Sequence, residues 1–200
     1  MKFIIFHGSF GNSKENWIPW LKEELEKFGN IVSVPEFPIE DWDQLTKNKT
    51  KIILKKQNLI NWLNFFKKSE LKNINKTEKL CFIAHSIASV FILHLVLKFN
   101  IKLEKVIFIS PFLEKLNTLW QIDKVNETFY KTNFNFGKIK KLIPVSIVIY
   151  SDNDPYVGRK LMEKFAEKLN SKKKLIINGG HFNKKAGFEK FPQLLKLCLK

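Results

Sequence analysis

The chain has 200 residues, 44% of them hydrophobic, and this length and composition predict one domain, residues 1–200, with a sizeable core. Its net charge of +16 does not favour specific nucleic-acid binding, because the lysines are spread along the chain and arginine, which base recognition prefers, is nearly absent. No apolar run reaches the roughly 18 residues that a membrane span needs, so we expect no membrane span.

Short apolar runs alternate along the chain with segments of helical period. This alternation is typical of a parallel sheet that carries helices on both faces, a three-layer α/β/α sandwich. The pattern predicts a mainly parallel sheet of about six strands. The predicted strands are Lys2–His7, Ile31–Val34, Leu80–Ala84, Lys105–Ile109, Val145–Tyr150 and Lys174–Ile177.

The first predicted helix, Trp17–Phe28, illustrates the pattern on which the helices are predicted. Its apolar residues fall on one face, Asn16 is a candidate N-cap and Gly29 is a candidate terminator. An amphipathic helix of this kind packs on a sheet. The other predicted helices are Lys51–Lys68, Ile87–Phe99, Val157–Leu169 and Phe188–Leu199.

The connection 110–144 has no clear strand and is rich in aromatic residues, among them Phe112 and Trp120. One interpretation is a small cap over the carboxyl ends of the strands, where open α/β sheets bind ligands, with Phe112 and Trp120 contacting substrate. The other interpretation is that these side chains only cover the sheet. The composition does not choose between them.

Ser86 lies in the sequence "AHSIA" (84–88), between a predicted strand and a predicted helix. A serine nucleophile on such a sharp turn needs small residues two positions before and after it, and Ala84 and Ala88 meet that need. The first N–H groups of the helix also favour negative charge near Ser86. The alternative is a serine that only caps the helix, which is common.

Asp and His residues follow two later predicted strands. "YSDNDPYV" (150–157) places Asp152 and Asp154 after one strand, and "IINGGHFN" (176–183) places His181 after another. The order Ser, Asp, His is that of the α/β-hydrolase triad, and loops at the carboxyl ends of parallel strands lie at one edge of the sheet. Either Asp152 or Asp154 is a candidate acid, because Asp154 before Pro155 is also typical of a helix start.

A serine nucleophile also requires donors for the oxyanion that forms on the attacked carbonyl. The backbone N–H of Ile87 is one candidate. The sequence "HGSFG" (7–11) follows the first strand and offers the second, from the backbone of Ser9. We also predict that Gly8 and Phe10 contact the substrate.

The remaining reactive residue types are predicted to be structural. We expect His7 to shape its loop, His85 to point away from the site and His94 to belong to the core or its edge. Asp41 and Asp43 lack a matching cluster, so we predict no metal and no cofactor. The two cysteines, with no signal-like N-terminal segment, predict a cytoplasmic protein.

The sequence resembles the small serine hydrolases of α/β-hydrolase fold, the family of retinoblastoma-binding protein 9 and the YdeN-type proteins. The resemblance spans nearly the whole chain. It implies an α/β-hydrolase fold, with Ser86 as nucleophile, Asp154 as acid and His181 as base, and a small ester, thioester or amide as substrate. The motifs that carry it are "FHGSFGN", "NWIPWLKEELEKFG", "VPEFP", "FIAHSIAS", "VIFISPF", "YSDNDPYV" and "GGHFN".

Two functions are therefore weighed. The first is a serine hydrolase, carboxylesterase-like, that acts on a small-molecule acyl substrate through an acyl-enzyme on Ser86. The alternative is a catalytically silent hydrolase-fold protein that binds a partner protein or a polyanion through its basic surface, because one fold hosts many roles. The complete Ser, Asp and His set favours the enzyme. The sequence does not indicate an oligomeric state.

Overall fold

The computed structural model describes residues 1–47, 54–75 and 77–200. Six strands form one sheet. The four inner strands are buried at every position, as suits strands covered on both faces, whereas the two edge strands are partly exposed. The strands are β1 Lys2–Phe6, β2 Ile31–Ser33, β3 Leu80–His85, β4 Lys105–Ile109, β5 Ser146–Ser151 and β6 Lys172–Ile176.

Eight α-helices and two short 3₁₀ helices, Leu71–Asn73 and Lys184–Ala186, occur within the described residues. No helix in this part of the chain combines the length and the apolar character that crossing a bilayer requires. The helices are α1 Ile18–Lys27, α2 Trp42–Lys47, α3 Leu59–Ser69, α4 Ala88–Phe99, α5 Trp120–Asn126, α6 Phe136–Leu142, α7 Arg159–Leu169 and α8 Pro192–Cys198.

The sheet has the strand order β2-β1-β3-β4-β5-β6, and every neighbouring pair is parallel. Ile4 lies opposite Phe82, and Ile83 lies opposite Ile107, so large apolar residues align across the central strands. This confirms the predicted α/β fold with a parallel sheet of six strands.

Alternate residues of β1 pack into two separate cores, one on each face of the sheet. Ile4 and Phe6 join the larger core, which includes residues of α3, α4 and α7. Phe3 and Ile5 join the smaller core, which includes residues of α1 and α8. Because side chains alternate between the faces of a strand, one apolar run supplies both cores and produces the three-layer sandwich.

The strand order reverses direction at β1, since β2 lies on one side of β1 and β3 on the other. The loops after β1 and β3 therefore leave neighbouring strands at the same edge. Open α/β sheets bind their ligands at such a switch point. This topology brings residues 7–11 and Ser86 to one place, although 75 or more residues separate them in sequence.

Several predicted helix boundaries were wrong. The helix predicted at 51–68 begins at Leu59, where Asn58 caps it by accepting a hydrogen bond from Asn61 N; residues 51–53 lie outside the described residues. The last helix begins at Pro192 instead of Phe188, because a proline suits the first helical position and the residue before it is pushed out of the helical conformation.

Asn16 does not cap α1. The N-cap is Trp17, without a side-chain cap bond, and the side-chain oxygen Oδ1 of Asn16 instead accepts a hydrogen bond from Lys184 N–H. A partner 168 residues away outcompetes the local one. Gly29 ends the helix as predicted, with a positive φ of 74° that favours glycine.

The segment 110–144 contains α5 and α6, which the sequence pattern did not predict because each has only seven residues. α2, with six residues, was missed for the same reason. Whether 110–144 acts as a cap stays a prediction.

Candidate active site

Ser86 lies between β3 and α4 with a φ of 58°, in the left-handed region that non-glycine residues rarely adopt. Its N–H donates to Ile109 O at 2.8 Å, and Ala84 and Ala88 on either side are fully buried. The N-cap of α4 is Ile87, without a side-chain cap bond, so Ser86 is not the capping serine of the alternative interpretation. Strain of this kind is typical of a nucleophile turn.

Asp154 is held by four hydrogen bonds and its side chain is fully buried. Oδ1 accepts the N–H groups of Tyr156 at 2.9 Å and Val157 at 3.0 Å, while Oδ2 contacts His181 Nδ1 at 2.8 Å and accepts Ser110 Oγ–H at 2.7 Å. α7 starts only at Arg159, so Asp154 is not the cap of that helix. Its hydrogen bonds to Tyr156 N–H and Val157 N–H instead stabilise the turn 154–157.

The Asp154 carboxyl has a pKa below its usual value. Burial by itself raises this pKa. A larger opposite effect comes from the hydrogen bond and charge of His181, together with the hydrogen bonds from Val157 N–H and Ser110 Oγ–H. The carboxylate is therefore ionised at neutral pH and can orient and stabilise a protonated imidazole.

The loop that carries His181 is anchored by the two residues before Asp154. Asp152 Oδ1 accepts Asn178 N–H at 2.7 Å, and Asn153 Oδ1 accepts Gly180 N–H at 2.8 Å. Gly179 is required because a Cβ there would lie 2.5 Å from the ring of Phe182. Asp152 is exposed, and within the described residues the carboxylate that hydrogen-bonds His181 is that of Asp154.

His85 lies directly against His181, with ring centroids 4.7 Å apart. Its Nε2–H donates to His181 O at 2.8 Å and so holds the backbone of that residue. Trp17 Nε1–H likewise donates to the next carbonyl, Phe182 O, at 3.0 Å. His85 is therefore buried beneath the site and supports the His181 loop, a role that the sequence pattern did not show.

Burial, with the charge of His181, lowers the pKa of His85 to about 3, which makes folding pH-dependent. An unfolded histidine binds a proton near pH 6.5, so acid favours the unfolded state progressively from about pH 6.5 to 3. His85→Gln keeps a donor for His181 O without this titration. Urea denaturation at pH 7 and at pH 4.5 gives the decrease in the free energy of unfolding for each protein. We expect this decrease to be about 2 kcal/mol smaller in the variant than in the wild type. Equal losses in both proteins would contradict this.

The turn after β1 lies beside Ser86. A Cβ on Gly8 would be 3.1 Å from Ser86 Cβ, which shows how closely the backbones approach. Gly8 O accepts Gly11 N–H at 3.2 Å and His7 Nδ1–H at 2.9 Å. Because the peptide is trans, the N–H of Ser9 points away from those donors. Among the described residues, neither Ser9 N–H nor Ile87 N–H has a hydrogen-bond partner.

His7 shapes this turn, as the sequence predicted. Its Nε2 accepts Phe37 N–H at 3.0 Å, so the proton of the neutral ring lies on Nδ1, which donates to Gly8 O. Burial lowers the pKa of His7, which keeps the ring neutral. His94 donates from Nε2 to Phe129 O at 2.8 Å and lies at the edge of the core.

The predicted substrate-contacting residues lie in different environments. Gly8 adjoins Ser86, and Phe10 packs edge-on against Trp42 with ring centroids 5.0 Å apart. Trp120 is half exposed on α5. Phe112 is fully buried in the larger core. Burying its apolar ring stabilises the fold by removing that surface from water. This position does not suit the predicted contact with substrate.

The described residues include no group of three or more His, Cys, Asp or Glu side chains arranged to hold a metal ion. Asp41, one of the two acidic residues considered for such a site, accepts Gln44 N–H at 3.0 Å and caps α2.

Among the described residues, no hydrogen bond joins Ser86 Oγ to His181. Ser86 is 9% exposed, and the side chain of His181 is 11% exposed, so each keeps a small solvent-accessible surface.

A parallel sheet with a strained serine turn and a buried Asp–His pair at its carboxyl edge defines a protein of the α/β-hydrolase class. Residues 3–199 match the family described as Serine hydrolase. Because this match covers nearly the whole chain, the protein belongs to that family and is a hydrolytic enzyme.

Individual relatives agree with this assignment. The Bacillus subtilis protein YdeN is 26% identical over 193 residues, which cover 94% of this chain and 89% of the relative. The crystal structure of the B. subtilis ydeN gene product matches with a TM-score of 0.80 at 22% identity, covering 99% and 96% of the two chains. Est1E from Butyrivibrio proteoclasticus with bound ferulic acid matches with a TM-score of 0.67 at 16% identity, covering 100% and 90%. The two structures share the fold.

Proposed function

We propose that this serine hydrolase cleaves a small carboxylic ester, thioester or amide through an acyl-enzyme on Ser86. The observation that carries the proposal is the buried contact of Asp154 Oδ2 with His181 Nδ1, at the sheet edge where Ser86 occupies its strained turn. An Asp–His pair beside a serine is the arrangement that activates a hydroxyl for acyl transfer.

In the first half of the reaction, His181 Nε2 takes the hydroxyl proton as Ser86 Oγ attacks the substrate carbonyl carbon. Asp154 accepts a hydrogen bond from His181 Nδ1–H throughout the reaction. This bond holds the neutral imidazole in the tautomer with its proton on Nδ1, and it stabilises the protonated form. The N–H groups of Ser9 and Ile87 stabilise the oxyanion. The carbon–heteroatom bond then breaks, and the imidazolium gives its proton to the leaving group.

In the second half, water replaces the leaving group. His181 takes a proton from the water as its oxygen attacks the acyl carbon, and the same donors stabilise the second oxyanion. The bond to Ser86 Oγ breaks and the proton returns to that oxygen. The products are the carboxylic acid and the alcohol, thiol or amine.

A cytoplasmic location and a small-molecule substrate are part of the proposal. Cys81 and Cys198 are both free and buried, which agrees with a reducing compartment. The basic surface is predicted to bind DNA or RNA only weakly and in a salt-dependent way, by counterion release.

The proposal is tested with a fluorophosphonate probe, which reacts with activated serines. The intact protein is incubated with the probe and digested, and the modified peptide is located by mass spectrometry. We expect a single modified peptide that contains Ser86. Modification of another serine, or none at all, would disprove the assignment.

Ser110 supports the same site and provides a further prediction. Its Oγ donates to the Asp154 oxygen that contacts His181, so Ser110→Ala raises the pKa of Asp154 and loosens the carboxylate. We expect kcat for a nitrophenyl ester to fall about tenfold, since a hydrogen bond to a charged group contributes about 1.5 kcal/mol. Ser146→Ala is the matched control, because it removes a buried serine bond to Ser171 at the opposite end of β5. An unchanged kcat in Ser110→Ala would contradict this role.

A further inference from the structure

The imidazole of His181 packs against two aromatic side chains. The centroid of the His85 ring lies 4.7 Å from that of His181, and the centroid of the Tyr156 ring lies 5.1 Å away at an interplanar angle of 84°. Near-perpendicular packing at such a distance is one of the arrangements that aromatic rings prefer. Tyr156 follows Asp154 by two residues, so this contact lies directly beside the Asp–His pair.

The hydrogen bonds of His181 do not by themselves fix the orientation of its ring. Nδ1 contacts Asp154 Oδ2 at 2.8 Å, and among the described residues Nε2 has no hydrogen-bond partner. One hydrogen bond restrains one ring atom, while the torsion about the Cβ–Cγ bond of a histidine has a broad minimum. Packing against the ring must therefore limit its rotation.

Tyr156 suits this role because its own position is fixed. Its N–H donates to Asp154 Oδ1 at 2.9 Å, and its carbonyl oxygen accepts Thr118 Oγ1–H at 3.4 Å. Its side chain is partly buried and packs against the larger core. The Asp154 carboxylate thus holds the backbone of Tyr156 with one oxygen and the imidazole of His181 with the other.

The contact is made by the aromatic ring of Tyr156 and does not involve its hydroxyl group. Within the part of the chain that the structure describes, this hydroxyl has no hydrogen-bond partner. A phenylalanine at this position would therefore keep the contact with His181. An aliphatic side chain would lose the perpendicular packing of the two rings.

We propose that Tyr156 is a positioning residue for the base: its ring packs against the His181 imidazole and keeps Nε2 directed towards Ser86. This inference rests on the proposed function, since it concerns the base of the same reaction. Tyr156 acts only through His181. Because proton transfer needs Nε2 within hydrogen-bond reach of the hydroxyl, a small displacement of the imidazole slows the chemical step and leaves substrate binding unchanged.

The kinetic test compares Tyr156→Phe with Tyr156→Leu in the full chain. Both variants keep the backbone hydrogen bonds, and only the second removes the ring. kcat and KM are measured for a nitrophenyl ester; both halves of the reaction use His181, so kcat reports on it whichever half is slower. We expect Tyr156→Phe to keep kcat within about twofold of the wild type. Tyr156→Leu should lower kcat about tenfold with KM nearly unchanged, as the energy of an aromatic pair predicts.

A second measurement follows the His181 ring without any reaction. A histidine Nδ1–H that donates to a carboxylate gives a separate ¹H NMR resonance at low field when it exchanges slowly with water. The resonance of His181 is assigned by its absence from His181→Ala. We expect it in the wild type and in Tyr156→Phe, and we expect its broadening or loss in Tyr156→Leu, because a rotating ring leaves Asp154.

Phe136→Leu is the matched control, since it also removes a partly buried aromatic ring that packs against the larger core. Phe136 lies below Lys168 in the last turn of α7, whereas Tyr156 precedes the first turn of that helix. We expect unchanged kcat, KM and His181 resonance in this control, even if its melting temperature falls. Tyr156→Met, whose side chain is also aliphatic, should match Tyr156→Leu, so a folding defect in one of the two leaves the test intact.

Three results would overturn the positioning role. Wild-type kcat or an unchanged His181 resonance in Tyr156→Leu would show that the ring does not orient the imidazole. Equal losses of kcat in Tyr156→Phe and Tyr156→Leu would assign the effect to the hydroxyl, and a raised KM at unchanged kcat would make Tyr156 a substrate contact. Failure of the proposed function is a separate result, because the wild type would then neither hydrolyse esters nor label at Ser86, while the NMR comparison would still decide the role of Tyr156.

Discussion

Replacing Ser86 by alanine is expected to abolish fluorophosphonate labelling and to lower ester turnover by about 10⁶-fold, the loss that follows removal of a triad serine. Without Oγ there is no acyl-enzyme, although the oxyanion donors and the substrate site remain. Turnover is measured with a nitrophenyl ester, and labelling with intact-protein mass spectrometry. The fold should be retained, because alanine occupies the same turn with a smaller side chain.

Ser89→Ala is the matched control for this substitution. Ser89 lies in the first turn of α4, is fully buried and has an Oγ without a hydrogen-bond partner in the described residues. Its loss should leave labelling and turnover unchanged. Labelling that persists in Ser86→Ala, or disappears in Ser89→Ala, would move the nucleophile elsewhere.

Asp154→Asn is expected to lower turnover by up to about 10⁴-fold, because an amide at this position favours the wrong imidazole tautomer. The Asn Nδ2–H₂ group faces His181 Nδ1, where two donors cannot bond each other. The melting temperature should fall only slightly, since the remaining oxygen still accepts Tyr156 N–H and Val157 N–H.

Asp152→Asn is the paired control, two residues away. Asp152 is exposed and only accepts Asn178 N–H, a bond that an asparagine oxygen also makes. We expect near-normal turnover and melting temperature. A large loss of turnover in Asp152→Asn, with Asp154→Asn nearly silent, would transfer the acid role to Asp152.

Much of the fold and the order of the site residues could be predicted from the sequence. The runs that became β1, β3 and β4 are short and apolar over successive positions, which is typical of strands buried on both faces. Ser86 and Asp154 follow runs of this kind, and His181 follows the shorter strand predicted at Lys174–Ile177. Because parallel strands present their carboxyl ends at one edge, strand prediction alone brought these residues to the same side of the sheet.

The short elements and the surroundings of the site could not be predicted in this way. α2, α5 and α6 have six or seven residues, too few for a helical period to stand out from chance. Phe112 illustrates a second limit, since an aromatic residue in a connection has the same local pattern whether it lines an opening or fills a core. Only its complete burial distinguishes the two.

The sequence by itself determined the parallel α/β architecture and the residue types at the strand ends, because both follow from local patterns of apolar and turn residues. Only the tertiary structure decided that Asp154 and not Asp152 contacts His181, that His85 supports the His181 loop, and that Gln57 meets Asn126. These pairs lie 27, 96 and 69 residues apart. Contacts at such separations depend on how the sheet and its connections pack, which no local pattern specifies.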